Sequence, residues 1–251
     1  MKKVLKSLFF RIPASYVLML HHVDDGNITP VSDCIIQYDQ FLIEPILIHQ
    51  IFTVDRHLRS QSIRRYSSQM FALQDRKFMQ MSDYLTFKAQ NNGKYLLTFD
   101  DGLEDVFRVV YPVLKAREIP FTIFVPVDLL DTPGYISIEQ LKEMAKDPLV
   151  TIGSHGVSHR VMTTLSVGEQ ELELVESKKT LQRIIGKSVD VYAYPHGQFN
   201  SDTIKLLKKL NLYKAAFGVT GHPTNCFTES NRFDLPRFNI KDGKQYMINF
   251  F

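Results

Sequence analysis

The chain has 251 residues, enough for one large buried core, and a βα barrel of that size would use almost all of it. Its net charge of +3 is small and its Lys and Arg residues are dispersed, which excludes the concentrated basic surface of a nucleic-acid binder. Two cysteines, Cys34 and Cys226, sit far apart in the chain; one disulfide is arithmetically possible, but free buried thiols are expected, and with no paired cysteines a finger-type structural zinc site is not.

The first segment, Met1 to Ala14, combines Lys2 and Lys3 with Leu8, Phe9 and Phe10, but Lys6 and Arg11 interrupt the apolar run. A signal peptide is therefore not expected there, and no stretch approaches the ~20 apolar residues of a membrane span. The expectation is a cytoplasmic protein whose basic amphipathic start suits peripheral membrane contact. Tyr16 to Leu20 reads as the first strand. A helix follows around Tyr38 to Phe52, then a polar patch rich in Arg and Gln from Arg56 to Gln80. Residues 24–93 are expected to form an insertion packed on the remainder of a single domain spanning 1–251.

Regular alternation of strand and helix begins near residue 94. Tyr95 to Phe99 is an apolar run of strand formers, and Val106, Val109, Val110, Val113 and Leu114 give the next segment a helical period, with Pro112 as a kink or boundary. Phe121 to Val125 is the next strand, and Ser137 with Gln140 forms a capping box for another helix. Val150 to Gly153 is a strand. The clearest helix runs from the box Ser166–Glu169 to Ile185 and stops at Gly186. Val189 to Tyr194, Lys214 to Val219 and Leu235 to Ile240 are expected strands, with a helix over Ser201 to Leu210. Strands separated by helices predict parallel βα units around one sheet. A distorted (β/α) barrel fits the length; a doubly wound sheet has the same periodicity.

Three groups of residues stand at the carboxyl ends of expected strands, where α/β folds carry their chemistry. Asp100 and Asp101 are adjacent carboxylates that require a cation or a split in their pKa values, although Asp-Asp-Gly also reads as a turn with a helix cap. His155 and His159, four residues apart, fall on one face of a helical turn, and neutral imidazole is a common metal ligand. One Asp with two His leaves an open metal position, as in catalytic sites. Tyr192 to Gly197 forms an aromatic loop with Pro195, suited to a groove wall that stacks on a sugar, or else an ordinary βα loop.

Thr98–Gly102, His155 with His159, and Tyr194-Pro195-His196-Gly197 resemble, in order, the first three motifs of the polysaccharide deacetylases, carbohydrate esterase family four. The likeness is best over residues 94–240. It implies a distorted (β/α) barrel of seven or eight strands and a metal held by Asp101, His155 and His159. Asp100 would be the catalytic base, and the backbone N–H of His196 would stabilise the oxyanion. Tyr194, Pro195, His196 and Arg237 are the expected substrate-binding residues. Zinc is favoured by the ligand set, with cobalt, nickel or iron fitting similar ligands.

The sequence departs from that pattern twice. Where many members carry an arginine that orients the base, this chain has Ala193, and Arg237 could supply the cation from another strand; an ordinary structural arginine is the other reading. The Leu-x-His motif that gives many members their general acid is missing after residue 159. The segment Val17 to Val23 resembles the opening strand of circularly permuted members, which makes His21 the expected acid and His22 its neighbour. The implied function is N-deacetylation of an amino-sugar glycan, a surface polysaccharide or its precursor. A catalytically inactive glycan-binding protein, or a hydrolase of an ester or non-sugar amide, would share these residues.

Overall fold

The computed structural model describes residues 16–20, 22–24, 35–37, 77–86, 94–219 and 230–239. The expected helix at 38–52, most of the polar patch, both cysteines, the segment Met1–Ala14 and His21 lie outside the described residues.

The strands are β1 (Tyr16–Leu20), β2 (His22–Asp24), β3 (Ile35–Gln37), β4 (Lys77–Phe78), β5 (Lys94–Phe99), β6 (Phe121–Val125), β7 (Val150–Ser154), β8 (Val191–Ala193), β9 (Ala215–Phe217) and β10 (Phe238–Asn239). The main sheet runs β10-β1-β5-β6-β7-β8-β9 with β4 also on β5, and β2 pairs with β3 apart from it. All these pairings are parallel. β4 belongs to the stretch read as an insertion, yet it joins the main sheet.

The connecting helices are α1 (Met81–Tyr84), α2 (Tyr111–Ala116), α3 (Ile138–Lys146), α4 (Val167–Ile185) and α5 (Ser201–Leu210). The capping boxes read at Ser137–Gln140 and Ser166–Glu169 both form, and Gly186 ends α4 at φ 67°. Such caps satisfy backbone N–H groups that the first helical turn leaves without partners. Pro112 marks a boundary, as expected: a π-helical turn over Val106–Val110 gives way to α2 at Tyr111. Proline has no N–H to continue the helical ladder, which explains the change of winding there.

Both faces of the sheet are buried, and side-chain alternation divides them into two cores. Leu97, Phe99, Phe121, Ile123, Ile152, Tyr192 and Tyr194 pack with the helices. Leu96, Phe124, Val191, Ala193, Ala215 and Phe217 fill the other face together with Met79 and Tyr84. This explains why β6 reads as an unbroken apolar run rather than an alternating one.

The inner core shows that the sheet curls. Phe124 of β6 and Phe217 of β9 are three strand positions apart, roughly 14 Å in a flat sheet, yet their ring centroids lie 5.8 Å apart. Gly153 on β7 makes this approach possible, because a Cβ there would lie 2.4 Å from the Phe124 ring. Gly153→Ala is therefore expected to destabilise the protein by about 1–3 kcal/mol through overpacking, read as a lower denaturation midpoint in urea. At the far side, Leu235 bridges to Phe217 of β9 while Phe238 pairs with Leu18 of β1. The segment 235–239 thus contacts strands at the two ends of the curl.

Candidate active site

Sharp turns follow β5, β7 and β8, and their backbones are unusual. Asp101, His159 and His196 all have left-handed φ, at 70°, 58° and 58°. Such conformations are costly outside glycine and persist where the surroundings over-determine them, often at functional sites.

These turns bring Asp101, His155 and His159 together. The Oδ1 atom of Asp101 is 3.3 Å from His155 Nε2 and 3.0 Å from His159 Nε2. One ligand atom from each of the three residues lies within 4.8 Å of the others. Ligands at 2.0–2.1 Å from a tetrahedral ion are themselves roughly 3.3 Å apart, so this cluster has the dimensions of a metal site. His155 Nδ1 lies 2.8 Å from the Ala193 carbonyl, which fixes the ring with Nε2 turned into the cluster. Burial disfavours a charge on His155, but Asp100, Asp101 and the Ala193 carbonyl outweigh it and raise its pKa. The cluster is an environment that attracts a cation.

Asp100 stands beside the cluster, with Oδ2 at 3.9 Å from His155 Nε2. Arg237 clamps it: Nη1 donates to Oδ1 at 2.6 Å and Nη2 to Oδ2 at 2.7 Å. The guanidinium also donates from Nε to the Gly218 carbonyl at 3.1 Å, and it lies 5.2 Å over the Phe124 ring. Arg237 is 0% exposed and Asp100 2%. Two parallel hydrogen bonds between planar groups fix the carboxylate plane as well as compensating its charge.

The four residues expected to bind substrate divide sharply. Only His196 is exposed; its ring centroid is 4.9 Å from that of His159. Burial, and then His159, lower the His196 pKa. Tyr194 cannot stack on a sugar as expected, because its ring is fully buried, stacked on Phe199 at 4.3 Å, with its hydroxyl donating to the Phe233 carbonyl at 2.7 Å. Pro195 is buried in the same turn, and Arg237 is engaged with Asp100 instead of facing solvent. The reason is alternation: Tyr192 and Tyr194 share the sheet face that packs against the helices.

Two residues near the site escaped the sequence reading. Tyr135 is partly exposed, and its pKa is raised by burial and by the charge of Asp101. Glu173 is buried beneath the loop joining the two histidines. Neither belongs to a recognisable spacing, and Glu173 lies among several glutamates of α4 that read alike.

The sequence profile of the polysaccharide deacetylases matches residues 88–215, just over half of the chain, and the chain belongs to that family. A Bacillus subtilis protein named for the polysaccharide deacetylases, YxkH, is 30% identical over 59% of this chain; the match spans about half (52%) of that relative's length. Poly-beta-1,6-N-acetyl-D-glucosamine N-deacetylase of Staphylococcus aureus is 27% identical over 76% of this chain and 72% of its own. Among solved structures, the Streptococcus pyogenes deacetylase PplD in complex with acetate has a similar fold, with a TM-score of 0.72 and 20% identity over 94% of this chain and 96% of that one. No helix among the described residues is long and apolar enough to cross a membrane.

Proposed function

We propose that this protein is a metal-dependent N-deacetylase of an amino-sugar glycan. The observation that carries this reading is the convergence of Asp101, His155 and His159 beside an Asp100 clamped by Arg237. Asp101, His155 and His159 would hold a divalent ion, with zinc favoured by one carboxylate and two imidazoles. When bound, that ion supplies a Lewis acid for the acetyl carbonyl and lowers the pKa of water.

This chain's own residues then have distinct parts. Asp100 accepts the proton of the attacking water, and Arg237 holds the carboxylate plane towards it. The backbone N–H of His196, in its left-handed turn, is the donor assigned to the developing oxyanion. His21 is assigned the proton that the leaving amine must gain. The register of β1 supports this, since Leu20, the residue before His21, pairs with Phe99, the residue before Asp100. His196 and Tyr135 replace Tyr194 and Pro195 as the residues offered to substrate.

Residues 1–251 are proposed to form one deacetylase domain, with 24–93 an insertion or barrel-covering segment that contributes β4 and with 94–240 carrying the family motifs. Because segment 235–239 contacts both β1 and β9, a distorted barrel of seven or eight strands is the proposed architecture. The substrate is proposed to be a surface polysaccharide or its precursor containing N-acetylglucosamine, in keeping with the name of the Staphylococcus aureus relative.

The test is acetate release from a panel of N-acetylglucosamine oligomers, including the β-1,6-linked form, before and after metal removal. Release that disappears on chelation and returns with added zinc is the expected result. Acetate from O-acetyl substrates alone would make the enzyme an esterase. Binding of oligomers by metal-loaded protein without any release would make it a glycan-binding protein.

A further inference from the structure

Glu173 is buried on α4 and has no part in the chemistry assigned above. Its carboxylate reaches the loop that joins His155 to His159. Oε2 accepts the N–H of Val157 at 2.5 Å and that of Ser158 at 3.1 Å, while Oε1 accepts the Ser158 hydroxyl. The remaining N–H of the span, on Gly156, donates to Ser154 Oγ at 3.2 Å. All three residues between the histidines therefore have their N–H groups tied down, two of them by one carboxylate.

The loop needs such a restraint. Gly156 and His159 both have left-handed φ, at 81° and 58°, and a left-handed histidine persists only where neighbours enforce it. A Cβ on Gly156 would lie 2.7 Å from Glu173 Oε2, so the carboxylate is packed directly against the loop backbone. One helical turn further along α4, Ser177 accepts from Ser154 Oγ at 2.8 Å, which anchors the start of the same segment. The 19-residue helix, capped at both ends, is a rigid base for these contacts.

We infer that Glu173 is the positioning residue of the metal centre: from α4 it holds His159 in register with Asp101 and His155 before any ion binds. This rests on the reading of those three residues as metal ligands. Glutamine at 173 keeps the arrangement, because its amide oxygen can accept both backbone N–H groups and the Ser158 hydroxyl can turn to accept from its NH2. Alanine removes every one of these bonds and leaves two loop N–H groups without their acceptor.

The experiment is a titration of the metal-free full chain with Co2+, followed by its visible d–d absorption, for wild type, Glu173→Ala, Glu173→Gln and Gln170→Ala. Gln170 is buried on the same helix, where its amide donates to the Leu165 carbonyl and accepts from the Thr203 hydroxyl, away from the histidine loop, so Gln170→Ala controls for general loosening. Glu173→Ala is expected to weaken Co2+ binding about 10–100-fold and to alter the absorption. Glu173→Gln should restore most of the affinity, and Gln170→Ala should bind as wild type does. A folded Glu173→Ala with wild-type affinity and spectrum would overturn the inference, as would equal weakening in Gln170→Ala. If the alanine variant does not fold, Glu173→Asp, which withdraws the carboxylate by one methylene, is held to the same criterion. A wild type that binds no Co2+ would overturn the metal-site reading itself, whereas binding that is indifferent to Glu173 would overturn the positioning role alone.

Discussion

Asp100→Asn is expected to lower acetate release by about 10²–10⁴-fold, the usual contribution of a positioned general base. Asparagine preserves the shape of the side chain but cannot take up a proton at neutral pH. The metal content should stay at the wild-type level, because the cluster is built from Asp101, His155 and His159, and Asp100 Oδ2 stands 3.9 Å from the nearest imidazole nitrogen. Kinetics and bound metal must therefore be measured on the same sample. Wild-type turnover in the variant would remove Asp100 from the reaction. Loss of metal together with turnover would make Asp100 a ligand rather than a base.

Arg237→Met should both destabilise and inactivate the protein, and the two effects can be separated. The variant leaves the Asp100 charge buried opposite an apolar side chain, a change that costs about 3–5 kcal/mol for a buried pair. Replacing both partners, as in Asp100→Leu with Arg237→Met, removes the stranded charge, and such replacements are often neutral or stabilising. The double variant is thus expected to be more stable than Arg237→Met in urea denaturation, yet as inactive as Asp100→Asn. If the double variant loses the sum of the two single losses, Asp100 and Arg237 are not energetically coupled and the clamp has no role in holding the carboxylate.

The parts of the site visible in the sequence are those whose residues are close together in the chain. Asp100 and Asp101 are legible by adjacency, His155 and His159 by their spacing of four, and each group sits immediately after a strand that an apolar run makes legible. Caps are legible for the same reason, since a box spans only four residues. Arg237 could be suspected only by what was missing at Ala193; its pairing with Asp100, 137 residues away, depends on how segment 235–239 crosses from β9 to β1. Tyr194 does not line the groove because, although a Tyr-Pro-His-Gly turn suggests an exposed loop, strand alternation turns the ring towards the helices and Phe233 supplies the partner for its hydroxyl. Glu173 carried no signal at all: on a helix of many charges, only the fold shows which one faces the histidine loop.

The most direct measurement is a zinc-edge anomalous difference map from crystals grown with zinc. One strong peak is expected at about 2.0–2.2 Å from a carboxylate oxygen of Asp101 and from Nε2 of both His155 and His159, with Asp100 still paired to Arg237. A zinc-loaded crystal without density at that position, or with the ion held by other residues, would contradict this metal site.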